Sequence, residues 1–278
     1  MTKLKNNIDE ADKRLLLEIS FDGQGYGGWQ IQPDNLTVQE LIQDTLVKLY
    51  AGQKIKLVGS SRTDAGVHAV GFAASFVAPA KPDIPLDKLK IALNGLLPSS
   101  IAIRNITEVP MDFHVRFNTV GKAYTYIINL GDETPFSAHY SWRARWELDV
   151  DKMREASRHL IGTHDFSSFV VNREDIENAV RTIYDIDFQL FGQYLCITFV
   201  GNGFLYKMIR CLIGALEAVG SGAISVAAVK KIIEAKDRSK APQTCPPHGL
   251  FLMKVFYDEA EIKKFKLKDV PFFLGSKC

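Results

Sequence analysis

Residues 54–77 read KIKLVGSSRTDAGVHAVGFAASFV, in which two apolar segments flank a short polar one. The flanks, Lys54–Val58 and Ala69–Val77, are rich in β-branched and aromatic residues, which predicts a pair of strands. The connection between them holds an arginine, an aspartate and a histidine within seven residues. Such a connection needs an explanation beyond chain reversal, because turns need only small or polar residues.

Asp64 in this connection has two interpretations. An aspartate between strands is usually a turn residue whose carboxylate bonds the local backbone. Against that stand Arg62 and His68 in the same connection, and Gly66, which permits the backbone to fold tightly around a partner. The spacing alone supports a turn residue and a functional carboxylate equally.

The elements around this strand pair predict a split ferredoxin-like unit. Thr37 and Glu40 form a capping-box pattern at the start of an amphipathic helix that runs to about Gly52. A strand precedes it, and a second helix and a further strand follow: Leu15–Phe21, Pro85–Leu97 and Ile101–Val109. The order β-α-β-β-α-β is that of the split unit.

The second half of the chain predicts the same order with insertions. Its elements are a strand at Ala123–Ile128, an extra strand within Ser141–Leu148, a helix at Asp151–Ile161, hairpin strands at Arg181–Phe191 and Tyr194–Val200, helices at Phe204–Val219 and Ser225–Lys236, and a strand at Leu250–Phe256. We therefore predict an α+β fold of two ferredoxin-like βαββαβ units, whose mixed, mainly antiparallel sheets form a central cleft.

The predicted organisation has four parts. An N-terminal extension covers residues 1–12, and the first unit, with the Asp64 loop, covers 13–110. The second unit covers 111–257 and a tail covers 258–278. The tail includes Lys263, Lys264, Lys266 and Lys268, which favour a solvated, partly ordered end; the alternative is a tail that contacts phosphates.

Composition indicates an ordinary globular protein. Of the 278 residues, 46% are hydrophobic and 24% charged, enough apolar material for a core, and the net charge of +2 is too small to identify a nucleic-acid binder by itself. The N-terminus lacks an apolar signal segment and no apolar run reaches membrane-spanning length, so we expect a cytoplasmic protein. Cys196, Cys211, Cys245 and Cys278 lie far apart, which favours reduced thiols over disulfides or a metal site.

Residues 23–28, GQGYGG, fit the GxGxxG pattern of dinucleotide-binding proteins. That site requires a helix beginning directly at the turn, so that its N-terminus faces the pyrophosphate. Here the predicted helix begins only at Thr37, after Pro33. We reject a nucleotide site and expect the glycines to permit the close approach of a partner.

A series of segments resembles the tRNA pseudouridine synthase A family. They begin with SRTDAGVHA (61–69) and YGGWQIQP (26–33) followed by TVQ (37–39). In order, the others are DFHVRF (112–117), KAYTY (122–126), GTHDFSSF (162–169), RTI (181–183), GFLYKMIR (203–210) and PHGLFL (247–252). The matches extend from about residue 15 to 257, and their order makes the resemblance specific.

The resemblance implies the reaction and its residues. Such enzymes break the bond between uracil and ribose, turn the base and rejoin it through carbon, without a metal or organic cofactor. Asp64 matches the essential aspartate, Arg210 its basic partner, and Tyr124 the tyrosine that packs on the target base. The resemblance also implies a homodimer that modifies uridines 38, 39 and 40 in the anticodon arm of tRNA.

Four further residues are candidates for phosphate or ribose contacts: Arg62, His68, Arg116 and Lys207. Each taken alone is more often a solvated charge, and folded RNA is read largely through phosphates and 2′-hydroxyls. The chain departs from the family pattern at Ser61, Phe72, Lys122 and Cys245, which we expect near the RNA path. These departures leave the exact target positions open.

Two other functions compete with the synthase. One is a non-catalytic tRNA-binding or tRNA-folding module, against which a carboxylate facing RNA phosphates argues. The other is a carboxylate-dependent hydrolase of small nucleosides, against which the predicted long two-unit surface argues.

Overall fold

A computed structural model describes residues 12–171 and 177–272, so the predicted extension, apart from Asp12, and the last six residues of the tail lie outside the described residues. The described part is a mixed α+β fold, as predicted. Ten strands form one sheet in the order β4-β1-β3-β10-β5-β9-β8-β7, with β2 paired to β3 and β6 paired to β5. Along the chain the elements are β1 (Lys13–Phe21), α1 (Val38–Leu49), β2 (Val58–Gly59), β3 (His68–Ala78), α2 (Leu86–Leu96), β4 (Ile101–Val109), β5 (Gly121–Asn129), β6 (Trp142–Arg143), α3 (Val150–Ser157), β7 (Gly162–Asp165), β8 (Val180–Phe191), β9 (Tyr194–Gly201), α4 (Met208–Gly220), α5 (Val226–Ala235), β10 (Leu250–Phe256) and α6 (Glu259–Lys264).

The sheet order repeats within the chain. The strands β4-β1-β3-β2 and the strands β10-β5-β9-β8 each follow the order fourth, first, third, second of a split unit. The two sets join in one sheet, not in two adjacent sheets, through parallel pairing of His68 with Phe251 and Ala69 with Leu252. The domain limits at 110/111 and 257/258 stay a prediction.

The helices α1 to α5 cover one face of this sheet. In α1, Val38, Ile42 and Leu46 are fully buried and spaced four residues apart, so one helical stripe faces the core. Thr37 caps α1 by accepting a hydrogen bond from the Glu40 backbone nitrogen, as the capping-box pattern predicts. The large core contains buried residues of α1 to α5, and no helix in the described ranges is long and apolar enough to cross a membrane.

Three elements differ from their predicted bounds. The strand predicted at Lys54–Val58 is reduced to β2, because the Leu57 backbone bonds the side chains of Gln39 and Gln43 on α1. The helix predicted from Phe204 begins only at Met208, because Lys207 has a left-handed backbone (φ 58°) that a helix cannot include. The extra strand predicted within 141–148 is only Trp142–Arg143.

The prediction of a solvated tail was wrong for its apolar residues up to residue 272, although Lys263, Lys264, Lys266 and Lys268 are exposed. A second apolar cluster lies on the sheet face opposite α1 to α5 and includes Ala123 and Ile127 of β5, while Tyr124 and Tyr126 point into the main core. Ile262 of α6 packs against this second cluster. Leu267 and Val270 of the tail are buried in this cluster. The tail's apolar residues therefore cover the back of the central strands.

Replacing Leu267 by alanine tests the role of the tail. We expect Leu267→Ala to lower the free energy of unfolding by about 2–5 kcal/mol, because it leaves a cavity against the sheet. Lys268→Ala, a neighbouring exposed residue, is the control and should change it by less than about 0.5 kcal/mol. Urea denaturation measures both; equal effects of the two variants would contradict a packed tail.

Candidate active site

The Asp64 loop is held by the glycine-rich segment that precedes α1. Gly28 has a positive φ of 94°, and a Cβ added there would overlap the Thr63 carbonyl oxygen. A Cβ at Gly23 would overlap the Val67 carbonyl oxygen in the same way. Trp29 donates its backbone N–H to Thr63 O at 3.3 Å. The partner that these glycines admit is thus the chain's own loop, which fixes the backbone on both sides of Asp64.

Asp64 forms an ion pair with Arg210. Arg210 Nη1 donates to Asp64 Oδ2 at 2.7 Å, and each side chain is 12% exposed. Arg210 lies in the first turn of α4, and its Nε donates to the Cys245 carbonyl oxygen at 2.8 Å. The guanidinium is therefore held from two sides, and it fixes the direction of the carboxylate.

Tyr124 lies on β5 in the same cleft as Asp64. Its side chain is 8% exposed, and its ring meets Phe204 edge to face with centroids 5.4 Å apart. Burial raises the pKa of Tyr124 to about 12, with Asp64 adding to the rise and Ser61 acting against it. The phenol therefore keeps its proton at neutral pH and can both donate and accept a hydrogen bond.

These groups open into a cleft of about 1070 Å³. Its walls come from both halves of the chain, chiefly residues 56–64, residues 114, 116 and 117, residues 122 and 124, residues 177, 178 and 181, and residues 204–209. Among the described lining residues, six are cationic and two are acidic: Lys56, Arg62, Arg116, Lys122, Arg181 and Lys207, against Asp64 and Glu177. The volume exceeds that of most small-molecule pockets, and the excess of cations suits a polyanion.

The predicted contact residues do not all reach the cleft. Arg62 and Arg116 are exposed along it, and Lys207 lies at its edge with Nζ 4.8 Å from the Tyr206 ring centroid. His68 is different, since it is 1% exposed and is absent from the lining of the cleft. As the structure stands, His68 has no surface with which to contact phosphate or ribose.

His68 belongs to a hydrogen-bond cluster behind the loop. Its Nδ1 accepts from the Gly23 N–H at 3.1 Å and lies 3.0 Å from Asp22 Oδ1, while its Nε2 lies 3.1 and 3.2 Å from the carbonyl oxygens of His139 and His248. Burial acts to raise the pKa of Asp22, but the adjacent His68 ring, together with hydrogen bonds from the Gln24 backbone and the Tyr140 hydroxyl, lowers the pKa to about 2. The histidine therefore ties the loop to two distant segments.

Sequence reasoning noted Lys122 only as a departure from the family pattern, yet it is part of the cleft. Its Nζ donates to the Ser60 carbonyl oxygen at 2.8 Å. Burial, with the charges of Arg116 and Arg181, lowers the pKa of Lys122 to about 8. Lys122 is therefore a cation whose charge is sensitive to pH just above neutrality.

Other residues that line the cleft are not among the candidates predicted from the sequence. Arg181, Phe204 and Tyr206 lie inside the matched segments RTI and GFLYKMIR, but the second segment is predicted to begin a helix, not to line a cleft. Lys56 had no signal, because an exposed lysine in a predicted strand is ordinary. Nothing in the local sequence shows that it faces the same cleft as residues 150 positions later.

Two of the four departures lie away from the cleft surface. Phe72 is fully buried and stacks on Trp29 with centroids 4.0 Å apart, so the expectation that it lies near an RNA path was wrong. Cys245 is buried behind Arg210 and meets it through its backbone carbonyl. Ser61 and Lys122 line the cleft.

Comparison with known proteins agrees with the motif series. A family model described as tRNA pseudouridine synthase matches residues 19–118 and 156–258. Among curated proteins named tRNA pseudouridine synthase A, that of Exiguobacterium sibiricum is 42% identical over 254 residues and covers 90% of this chain and 98% of its own. That of Bacillus subtilis is 41% identical over 247 residues (88% and 99%), and that of Listeria monocytogenes serotype 4a is 43% identical over 243 (86% and 97%).

A solved structure titled as a Cbf5-Nop10-Gar1 complex matches 88% of this chain and 60% of its own, with a TM-score of 0.36 and 12% identity. That similarity is too low to support an inference. The family match covers more than half of the chain, and the relatives match over nearly their full length. The chain belongs to the tRNA pseudouridine synthase family.

Proposed function

We propose that this chain is an isomerase that converts uridine to pseudouridine in tRNA, at positions 38, 39 and 40 of the anticodon stem-loop, with Asp64 as the catalytic carboxylate. Family membership supports the reaction and the substrate. The observation that carries the assignment of Asp64 is its 2.7 Å ion pair with Arg210 inside a cleft lined mostly by cations. A carboxylate among phosphate-binding cations opposes RNA binding, and we assign a chemical role to Asp64 because Arg210 holds and orients it.

The cleft fits RNA by charge and by depth. Arg62, Arg116 and Lys207 are the proposed contacts to phosphate and ribose, since they line the cleft and form no ion pair with a carboxylate of the described residues. Asp64, at 12% exposure, lies too deep for a base that stays stacked in the RNA. The target uridine must therefore turn out of the stack, which costs least in an unpaired or weakly paired region.

The reaction leaves the formula of the nucleotide unchanged. The bond between C1′ and N1 of uracil breaks, the freed base turns, a bond forms between C1′ and C5, and C5 then loses its proton, which N1 gains in the balance. Asp64 acts either as the nucleophile on the ribose or as the base for a sugar proton, and both roles need an ionised carboxylate. Arg210 orients that carboxylate and compensates its charge.

Tyr124 supports the base and handles the C5 proton. Its ring, braced edge to face by Phe204, offers a stacking surface for the everted uracil. Because its pKa of about 12 keeps the phenol protonated, the hydroxyl relays a proton and does not act as a phenolate base. His68 has no part in substrate contact in this scheme and positions the loop from behind.

The proposal also includes the homodimer and the cytoplasmic location that the family resemblance implies. The proposed reaction uses no added metal or organic cofactor, because it is a rearrangement without net oxidation. Size-exclusion chromatography with light scattering measures the assembly directly.

Asp64→Asn tests the catalytic carboxylate. We expect it to lower the rate of isomerisation by a factor of about 10²–10⁴ or more, because the amide can neither attack nor accept a proton. Binding of tRNA should persist or tighten, because a negative charge is removed from a cationic cleft. Mapping of pseudouridine by position in an unmodified tRNA, with binding measured in parallel, gives both results and the target positions.

Glu177→Gln is the matched control, because Glu177 is the other described carboxylate of the cleft. It makes the same change of charge and should retain nearly wild-type turnover. A wild-type rate in Asp64→Asn would refute the assignment. Wild-type binding without any isomerisation by the unaltered chain would instead favour a tRNA-binding module.

Tyr124→Phe separates the ring of Tyr124 from its hydroxyl. We expect tRNA affinity close to that of the wild type, because the stacking surface remains, and a rate lowered by about 10²–10⁴ if the hydroxyl relays the C5 proton. Single-turnover rates with tRNA carrying tritium at C5 of uridine measure this step through tritium release. Unchanged release kinetics would remove the hydroxyl from the mechanism.

Lys122 predicts a pH-dependent affinity. A phosphate favours charged Lys122, so its contribution is complete below the free-protein pKa of about 8 and is lost as the pH rises through it. We expect tRNA binding to weaken by up to about tenfold between pH 7 and 9, since the charged fraction of a group with a pKa of about 8 falls about tenfold over that range. Titrations at constant ionic strength measure it.

Lys122→Arg is the control for this effect, because a guanidinium stays charged over the same range. The variant should bind tRNA with an affinity that changes little between pH 7 and 9. If both proteins show the same decline, another group titrates and Lys122 is not its cause.

A further inference from the structure

Phe117 is a large apolar side chain exposed inside a cationic cleft. It is 77% exposed, yet it lines the same cleft as Asp64 and Tyr124. Its sequence neighbour Arg116 is exposed in the same cleft. Single exposed apolar residues are common on protein surfaces, so exposure alone carries no argument. The inference rests instead on the placement of the ring in the cleft and on the contacts that hold it.

The ring of Phe117 is held in place by a bonded turn. His114 stacks on it with centroids 4.2 Å apart and an interplanar angle of 28°. His114 Nδ1 accepts from the backbone N–H groups of Arg116 and Phe117 at 3.2 and 3.3 Å. Asn118 closes the turn, since its Oδ1 accepts from the His114 N–H and its own N–H donates to His114 O.

This arrangement leaves one face of the ring free while the other is supported. His114 covers one side of Phe117, so the 77% exposure belongs to the rest of the ring. A rigid, supported aromatic face loses little conformational entropy when a flat partner stacks on it. The surrounding cations select a partner that carries negative charge as well as flat rings, and a single-stranded nucleic acid has both.

We infer that Phe117 is a stacking site for an unpaired base that neighbours the target uridine in the bound tRNA. This rests on the proposed function and adds to it a second aromatic site, separate from the ring of Tyr124 that receives the target. When the uridine leaves the stack, its neighbour loses a stacking partner, and Phe117 replaces that partner. Arg116 is placed beside it for the adjoining phosphate.

A cycle that combines protein and RNA changes tests this inference. Three forms of the tRNA are prepared: the intact tRNA, one with an abasic nucleotide directly 5′ of a target uridine, and one with an abasic nucleotide directly 3′ of it. Each form is titrated with the wild type and with Phe117→Ala. We expect Phe117→Ala to bind intact tRNA about 5- to 100-fold more weakly than the wild type does. For one of the abasic tRNAs, the variant and the wild type should bind with equal affinity, because the base that stacks on Phe117 is already missing.

Companion variants distinguish stacking from general packing. Phe117→Trp should retain the wild-type affinity, whereas Phe117→Leu, apolar but not aromatic, should bind as weakly as Phe117→Ala. Phe136→Ala is the matched control, because Phe136 is 89% exposed and is absent from the lining of the cleft. All variants should melt like the wild type, since the ring is mostly exposed.

Each outcome decides the inference. Additive losses for Phe117→Ala and every abasic position would overturn it, as would wild-type affinity in Phe117→Ala or in Phe117→Leu. If Phe117→Ala fails to fold, the comparison of Phe117→Leu with Phe117→Trp decides in its place. A wild type that modifies tRNA while its Phe117 variants bind normally would refute the stacking site alone; a wild type that neither binds nor modifies tRNA would refute the proposed function and this site with it.

Discussion

The ion pair between Asp64 and Arg210 is the constraint that joins the two halves of the molecule at the site. The carboxylate comes from a loop of the first half and the guanidinium from the first turn of α4 in the second. Both groups are largely removed from water, so the loss of either would leave a poorly solvated charge behind. The pair therefore holds only while β3 and β10 keep their register and the Cys245 carbonyl keeps the guanidinium in place.

Two residues near this ion pair have positive φ angles that help to place it. Gly28 gives up a side chain so that the Asp64 loop can approach, and Lys207 adopts a left-handed backbone directly before the helix that carries Arg210. Such conformations cost about 1–3 kcal/mol for a residue with a side chain and persist only where the surroundings enforce them. The strained backbone lowers the stability of the fold, but it fixes the direction of one carboxylate in a cleft whose other charges are mostly positive.

Much of the fold followed from local pattern. The strand β10 has its predicted bounds, the hairpin of β8 and β9 turns at Gly192 as predicted, and Thr37 caps α1. These features depend on alternation, on turn residues and on caps, all of which act over a few residues. The strand β2 is shorter than predicted because glutamines of α1, distant in sequence, bond Leu57. The helix α4 begins later than predicted because Lys207 has a left-handed backbone.

The sequence by itself determined most of the element types, the repeated βαββαβ order along the chain and, through its ordered motifs, the family of this protein. It also singled out Asp64, Arg210 and Tyr124 before any distance was known. Only the tertiary structure decided that His68 faces away from the cleft, that the tail covers the back of the sheet, and that Phe117 stands exposed beside the cations. The reason is physical: periodicity records which face of an element is buried, whereas the direction of one side chain depends on contacts between residues far apart in the chain.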